Sequence, residues 1–230
     1  MLFKGWQKLS LMDYPGKIVT TVFVGGCNFK CPYCHNWELL ENGSNLETIT
    51  PGQVLSFLEK RHDMLDGVCI SGGEPTIHKN LPEFIKRVKD MGKLVKLDTN
   101  GSNPGMISKL IENNILDYIA MDVKCVMDKY CLLTKCGNMD LTNLRKSIDI
   151  IKESGIDYEF RTTLTKEYNP VEDKHDLAEL VSGARSYALQ KFRIPEGNFG
   201  EKLNPLSKNE AEEIMETIRP LVGQIVLRGY

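Results

Sequence analysis

The chain has 230 residues, 41% hydrophobic and 26% charged, a composition that suits one globular domain over residues 1–230 and excludes a disordered or low-complexity protein. Its 29 basic and 31 acidic side chains leave a formal charge of −2, with the signs mixed along the chain, so no electrostatic footprint for a nucleic-acid partner is present. The start, MLFKGWQKLSLMDYPGK, lacks an apolar stretch of signal-peptide length, and no later run reaches the ~20 residues of a membrane span; a cytoplasmic protein with no membrane partner is expected.

From the N-terminus, KIVTTVFV over residues 17–24 is β-branched and apolar, the pattern of a strand buried on both faces. The segment GGCNFKCPYCHN follows it directly. Thr50 and Pro51 supply an N-cap and a first helical position, and Val54, Leu55, Leu58 and Met64 recur at roughly helical spacing. The alternation then predicts strand 67–70, helix 80–91, strand 94–97, helix 104–113 and strand 118–123. A loop is expected over 127–139. Leu141, Leu144, Ile148 and Ile151 mark one face of the next helix, which ends at Gly155, a residue suited to a left-handed cap. Strand 158–164, helix 176–184 and strand 187–192 follow. The last helix opens on a capping box from Ser207 to Glu210 and closes before Pro220, and residues 222–227 are a candidate terminal strand. Six strands each followed by a helix, joined by right-handed crossovers, imply an all-parallel sheet. Periodicity leaves open whether the sheet is doubly wound or curved into a full or partial barrel, but in both cases ligands bind at the C-terminal strand ends.

Seven cysteines are an odd count, and Cys27, Cys31 and Cys34 fall on one loop beyond a buried strand, which suits metal binding better than a disulfide framework. Three thiolates would leave one iron of a [4Fe-4S] cube free for a substrate or cosubstrate. Residues 31–35 also read C-x-x-C-H, the haem-attachment pattern, and three cysteines with His35 are a zinc set; a redox dithiol is a further alternative. Cys69 lies in a strand and reads as a small buried hydrophobe. Cys125, Cys131 and Cys136 match no recognised ligand spacing, and a second metal site there is the lesser reading.

The triad, with aromatic Tyr33 just before its last cysteine, resembles the signature of the radical S-adenosylmethionine (SAM) superfamily. Ser71-Gly72-Gly73-Glu74-Pro75 resembles that family's GGEP segment, whose backbone holds the SAM amino group. Asp98-Thr99-Asn100-Gly101 and Met121-Asp122-Val123-Lys124 resemble segments of the glycyl radical enzyme activases, where the lysine meets the SAM carboxylate and the aspartates and threonine line a monovalent-cation site. Arg161 matches an arginine that supports SAM. Taken singly, these are a βα turn, a solvated strand end and an ion-pair partner. Together they fall just after successive predicted strands, on one sheet edge.

The resemblance spans nearly the whole chain and is nearest to the activating proteins of anaerobic ribonucleoside-triphosphate reductase, in the form that carries a segment like Leu11-Met12-Asp13-Tyr14-Pro15-Gly16-Lys17. It implies an α/β fold of the partial (β/α)6 TIM-barrel type, a [4Fe-4S] cluster on Cys27, Cys31 and Cys34, and SAM held by Tyr33, His35, Gly72, Gly73, Glu74, Asp98, Thr99, Asp122, Lys124 and Arg161. It further implies a monovalent cation near Asp98 and Asp122, a flavodoxin or ferredoxin-type reductant, and a glycyl radical enzyme as protein substrate. One departure stands out: pyruvate formate-lyase activases often carry a histidine near SAM after the sixth strand, where this chain has Gln190-Lys191-Phe192-Arg193. The rival readings are a small-molecule radical SAM enzyme such as a 7-carboxy-7-deazaguanine synthase, a pyruvate formate-lyase-type activase and, in another class, a non-catalytic iron-sulfur electron carrier.

Overall fold

The computed structural model describes residues 1–40, 46–137, 139–194 and 202–230. Among them, eight strands lie side by side in sequence order: β1 (Phe3–Ser10), β2 (Val19–Val24), β3 (Gly67–Gly72), β4 (Leu94–Thr99), β5 (Tyr118–Asp122), β6 (Asp157–Leu164), β7 (Ser186–Lys191) and β8 (Gln224–Arg228). The strands from β2 to β8 pair in parallel, while β1 runs antiparallel to β2. The crossovers carry α1 (Pro51–Lys60), α2 (Leu81–Asp90), α3 (Pro104–Glu112), α4 (Met127–Thr134) with α5 (Thr142–Glu153), α6 (Lys174–Val181) and α7 (Lys208–Ile218).

Strand order decides between the two architectures. In a doubly wound sheet the order reverses once and helices cover both faces. Here it never reverses, so right-handed crossovers put all the helices on one face, and the sheet curls with them outside as a partial barrel. The two faces differ accordingly. Val68, Ile70, Val95, Leu97, Ile119, Met121, Phe160 and Leu189 belong to the main core against the helices. The alternate positions point inward. There Tyr14, Val19 and Cys69 form a separate small cluster with Leu94 and Tyr118. Farther along, the inner face mixes small side chains such as Ala120 and Ala188 with the charged Lys96, Asp98, Glu159 and Arg161.

Residues 11–17 close the floor at the N-terminal strand ends: Asp13 accepts the Thr21 hydroxyl at 2.6 Å, and the Tyr14 ring lies 5.5 Å from that of Tyr118. The predicted capping box of Ser207 with Glu210 forms, and the predicted N-cap Thr50 turns out to share a second box with Gln53. The candidate terminal strand is β8, and Gly155 takes the expected left-handed conformation at φ +75°. No helix among the described residues is long and apolar enough to cross a membrane.

Two expectations need correction. The sheet is not all-parallel, because residues 3–10 form the antiparallel edge strand β1. Register irregularities on both sides of Gly5–Gln7 break its alternation, so the sequence shows no period of two. Residues 127–134, expected as loop, form α4, which has no side-chain N-cap and stops at Lys135 in the left-handed region, φ +51°. A non-glycine residue there costs roughly 1–2 kcal/mol, so this helix is held by packing of Tyr130 and Leu133 and not by local signals.

Candidate active site

A cleft opens at the C-terminal ends of the strands, enclosing about 960 Å³ with its mouth included. Every site residue singled out from the sequence lines it: Cys27, Cys31, Tyr33, Cys34, His35, Gly72, Gly73, Glu74, Asp98, Thr99, Asp122, Lys124 and Arg161.

The cysteine loop leaves β2 at Gly25 and is tied down on several sides. Gly26 N–H donates to Leu39 O at 2.7 Å, and Lys30 N–H to the α4 carbonyl of Thr134 at 2.8 Å. Asn28 accepts from Asn100 Nδ2 at 2.9 Å and donates to Ser102 at 2.8 Å, joining the cysteine loop to the turn after β4. The glycines at the end of β3, Gly72 and Gly73, make a second junction. Gly73 N–H donates to Val24 O and Glu74 N–H to Gly26 O, both at 2.9 Å, which extends the β2–β3 ladder into the loop. A Cβ at Gly72, where φ is +116°, would lie 2.4 Å from Val24 N, and one at Gly73 would lie 1.9 Å from Gly26 O. Only glycine permits this approach.

The Glu74 side chain turns away from the cleft. Its buried carboxylate accepts from Thr76 N–H at 3.0 Å, Thr99 hydroxyl at 2.8 Å and Asn100 N–H at 2.7 Å. Burial outweighs these bonds and raises its pKa. Glu74 thus braces the turn after β4, and what it offers the cleft is backbone.

Below the cysteine loop lies an ionic cluster drawn from three adjacent strands. Arg161 Nε donates to Asp122 at 2.8 Å and its NH1 stands 3.5 Å from Asp98; Lys124 Nζ reaches Asp122 at 2.8 Å, and Lys96 pairs with Asp98. Burial alone would raise the Asp122 pKa, but the Arg161 and Lys124 charges overcome it and hold the carboxyl well below its usual range. Asp98 is lowered against its own burial in the same way, by Arg161 and Lys96. The Lys124 ammonium also lies 5.8 Å from the centre of the Tyr33 ring. His35 stands at the rim, its pKa lowered by partial burial and then by Arg193.

The thiols test whether a cluster fits. Burial pushes Cys27 to about 11 and Cys31 to about 12, with Lys124 pulling both down, so in the absence of a metal both are protonated at neutral pH. Iron binding would release those protons. No described cysteine is in a disulfide, and no three described His, Cys, Asp or Glu side chains gather as a ready-made single-ion site. Cys27, Cys31 and Cys34 instead share a larger volume, as a four-iron cube requires. The Tyr33 hydroxyl is buried with no hydrogen-bond partner, a deficiency in the cleft wall that a ligand can meet. The donor set fits a [4Fe-4S] cluster beside an organic ligand.

The model of the Radical SAM superfamily matches residues 21–181. The chain belongs to that superfamily. Among its relatives is a Methanocaldococcus jannaschii protein named as a glycyl-radical enzyme activating enzyme, 36% identical over 99% of this chain and 95% of the relative. The pyruvate formate-lyase-activating enzyme of Clostridium pasteurianum is 26% identical over 86% of this chain and 84% of its own. The crystal structure of Streptococcus suis SuiB bound to S-adenosylmethionine superposes with a TM-score of 0.69 at 15% identity, covering 90% of this chain and 49% of that one, which is a likeness of fold. Membership of the radical SAM superfamily makes the chain an enzyme that uses a [4Fe-4S] cluster and SAM.

The remaining described cysteines are not among the residues that line the cleft. Cys69 is buried in β3 as expected, and Cys125 is fully buried. Cys131 and Cys136 form a pair 2.9 Å apart at the end of α4. Sequence reading missed Ser71, Asn100, Thr163 and Gln190 of the cleft wall and Lys96 beneath it. Ser71, Asn100 and Gln190 sit inside or next to segments already singled out, so proximity to the motifs was an available signal. Lys96 was visible only as a charge in an otherwise apolar strand.

Proposed function

We propose that this radical SAM enzyme is a glycyl radical enzyme activase whose partner is an anaerobic ribonucleoside-triphosphate reductase. The observation that carries the activase reading is end-to-end likeness to a protein named as a glycyl-radical enzyme activating enzyme, and the choice of reductase as partner rests on the resemblance of residues 11–17. The rim of the cleft favours a protein substrate. Trp37, Ile77, Leu132 and Ile194 are 40%, 41%, 67% and 74% exposed and stand on segments that follow β2, β3, β5 and β7, all at the cleft end of the barrel. Exposed apolar side chains on the segments at that end of the strands suit a docking loop better than a dissolved metabolite.

In this reading Cys27, Cys31 and Cys34 hold the cluster. The backbone of Gly72, Gly73 and Glu74 receives the SAM amino group, Lys124 and Arg161 its carboxylate, and Tyr33 and His35 flank the adenosyl moiety. When bound, cluster and SAM would supply one-electron chemistry at the S–C5′ bond, yielding methionine and a 5′-deoxyadenosyl radical, with the electron from a flavodoxin or ferredoxin-type donor. The chain's own part is to orient SAM, exclude water and admit a partner glycine. The test is anaerobic reconstitution, reduction and addition of SAM with a candidate reductase, read by electron paramagnetic resonance for a glycyl radical and by chromatography for 5′-deoxyadenosine. Both signals are expected, and Cys31→Ala abolishes both. SAM cleavage without radical on any glycyl radical protein, together with turnover of a purine-like metabolite, overturns the activase reading in favour of the small-molecule one.

A further inference from the structure

The carboxylates that would face a monovalent cation are already fully engaged. Asp98 Oδ1 pairs with Lys96 Nζ, and Asp98 Oδ2 accepts the Ser71 hydroxyl at 3.0 Å and faces Arg161 NH1 at 3.5 Å. Asp122 Oδ1 is taken by Arg161 Nε and Asp122 Oδ2 by Lys124 Nζ, each at 2.8 Å. The Thr99 hydroxyl donates to Glu74 at 2.8 Å and accepts Gly101 N–H at 3.1 Å. No carboxylate oxygen in this set is without a donor, and three cations face two carboxylates. A further positive ion would enter a place already carrying net positive charge.

The three cations are not equivalent. Lys124 and Arg161 line the cleft and can turn toward a ligand's carboxylate. Lys96 cannot. It lies two residues before Asp98 on the same inward face of β4, its side chain is 3% exposed, and its ammonium is boxed between Asp98, the Cys69 sulfur at 3.7 Å and the Tyr118 ring, whose centre is 5.9 Å away. An ammonium so placed is a permanent counter-ion, delivered from the barrel floor.

We infer that Lys96 is a built-in replacement for the exchangeable monovalent cation, so that SAM binding and cleavage by this enzyme need no Na⁺ or K⁺. Lys96 acts as a positioning residue: by neutralising Asp98 from below it leaves the charge of Arg161 and Lys124 available to the SAM carboxylate. The inference rests on reading this cleft as the SAM site, and glycyl radical transfer plays no part in its test.

Two measurements test it. SAM affinity and 5′-deoxyadenosine formation are followed in buffers whose monovalent cation is K⁺, Na⁺ or bulky tetramethylammonium, for the reconstituted wild type and for Lys96→Met, which keeps the apolar stem and removes the charge. The wild type is expected to be indifferent to the exchange, whereas Lys96→Met loses about tenfold in SAM affinity in tetramethylammonium and regains it with K⁺ or Na⁺. A wild type that loses as much without K⁺ or Na⁺, or a folded Lys96→Met protein indifferent to them, overturns the inference. Independently of whether that variant folds, crystals of the wild type soaked in Rb⁺ are expected to show no anomalous density between Asp98 and Asp122, and a peak there overturns it. A wild type that neither binds nor cleaves SAM in any of the buffers instead breaks the SAM reading of the cleft.

Discussion

The outer and inner faces of the same strands behave as two different proteins. Along β4, Val95 and Leu97 are wholly buried against helices, while Lys96 and Asp98, one position away, form an ion pair on the barrel side. Along β6, Tyr158 and Phe160 pack outward in the core, whereas Glu159 pairs with Arg228 and Arg161 with Asp122. Apolar packing is assigned to one parity of position and the ionic, cleft-facing groups to the other. A one-residue slip of any strand would exchange them, so the apolar face keeps the catalytic face in register.

This division sorts substitutions by what they should damage. The largest effect is expected for Asp122→Ala, which removes the carboxylate paired with Lys124 and leaves Arg161 only its longer contact to Asp98: about 3–5 kcal/mol of stability and SAM cleavage are lost together. Denaturant melts beside a 5′-deoxyadenosine assay check it, and a variant that melts like the wild type would show that the ion cluster holds nothing. Next comes Leu97→Ala on the opposite face. It should cost about 2–5 kcal/mol in the same melts and leave SAM cleavage per folded molecule unchanged, since the side chain points away from the cleft. Equal loss of turnover would break the separation of faces.

A shallower effect is expected in acid. Asp98 and Asp122 are both held below their usual pKa in the folded chain, so the unfolded chain binds more protons as pH falls. Their contribution is fully present above an unfolded value of about 3.9 and is lost as the pH drops toward the folded values. Thermal melts from neutral pH downward should steepen in that window, and Asp122→Asn should flatten the slope. The smallest effect is Ile119→Val, an outward core residue, at about 0.5–1.5 kcal/mol with turnover intact.

Much of the site was legible because its residues cluster by motif just after predicted strands. The cysteine triad, Gly72 and Gly73 at the end of β3, and the aspartates at the ends of β4 and β5 all proved to line one cleft. Two roles were not legible. The Glu74 carboxylate turns inward to brace Thr99 and Asn100, which depends on a contact across 25 and 26 residues of chain. Lys96 reads in sequence as a lone charge within a strand, and its meaning comes from Cys69 and Tyr118 on the neighbouring strands.

By itself the sequence determined what is local: which segments are strands or helices where apolar periodicity and caps agree, and which chemical groups stand at the strand ends. The tertiary structure decided what depends on neighbours. It added β1, whose pairing with β2 is irregular, and α4, which lacks a capping signal, because both are held by distant packing. It chose the partial barrel over the open sheet, because periodicity reports the face a residue points to and not the strand beside it. And it joined Lys96, Asp98, Asp122 and Arg161 into one ionic cluster, because Coulomb interactions act through space while sequence spacing measures only the chain between.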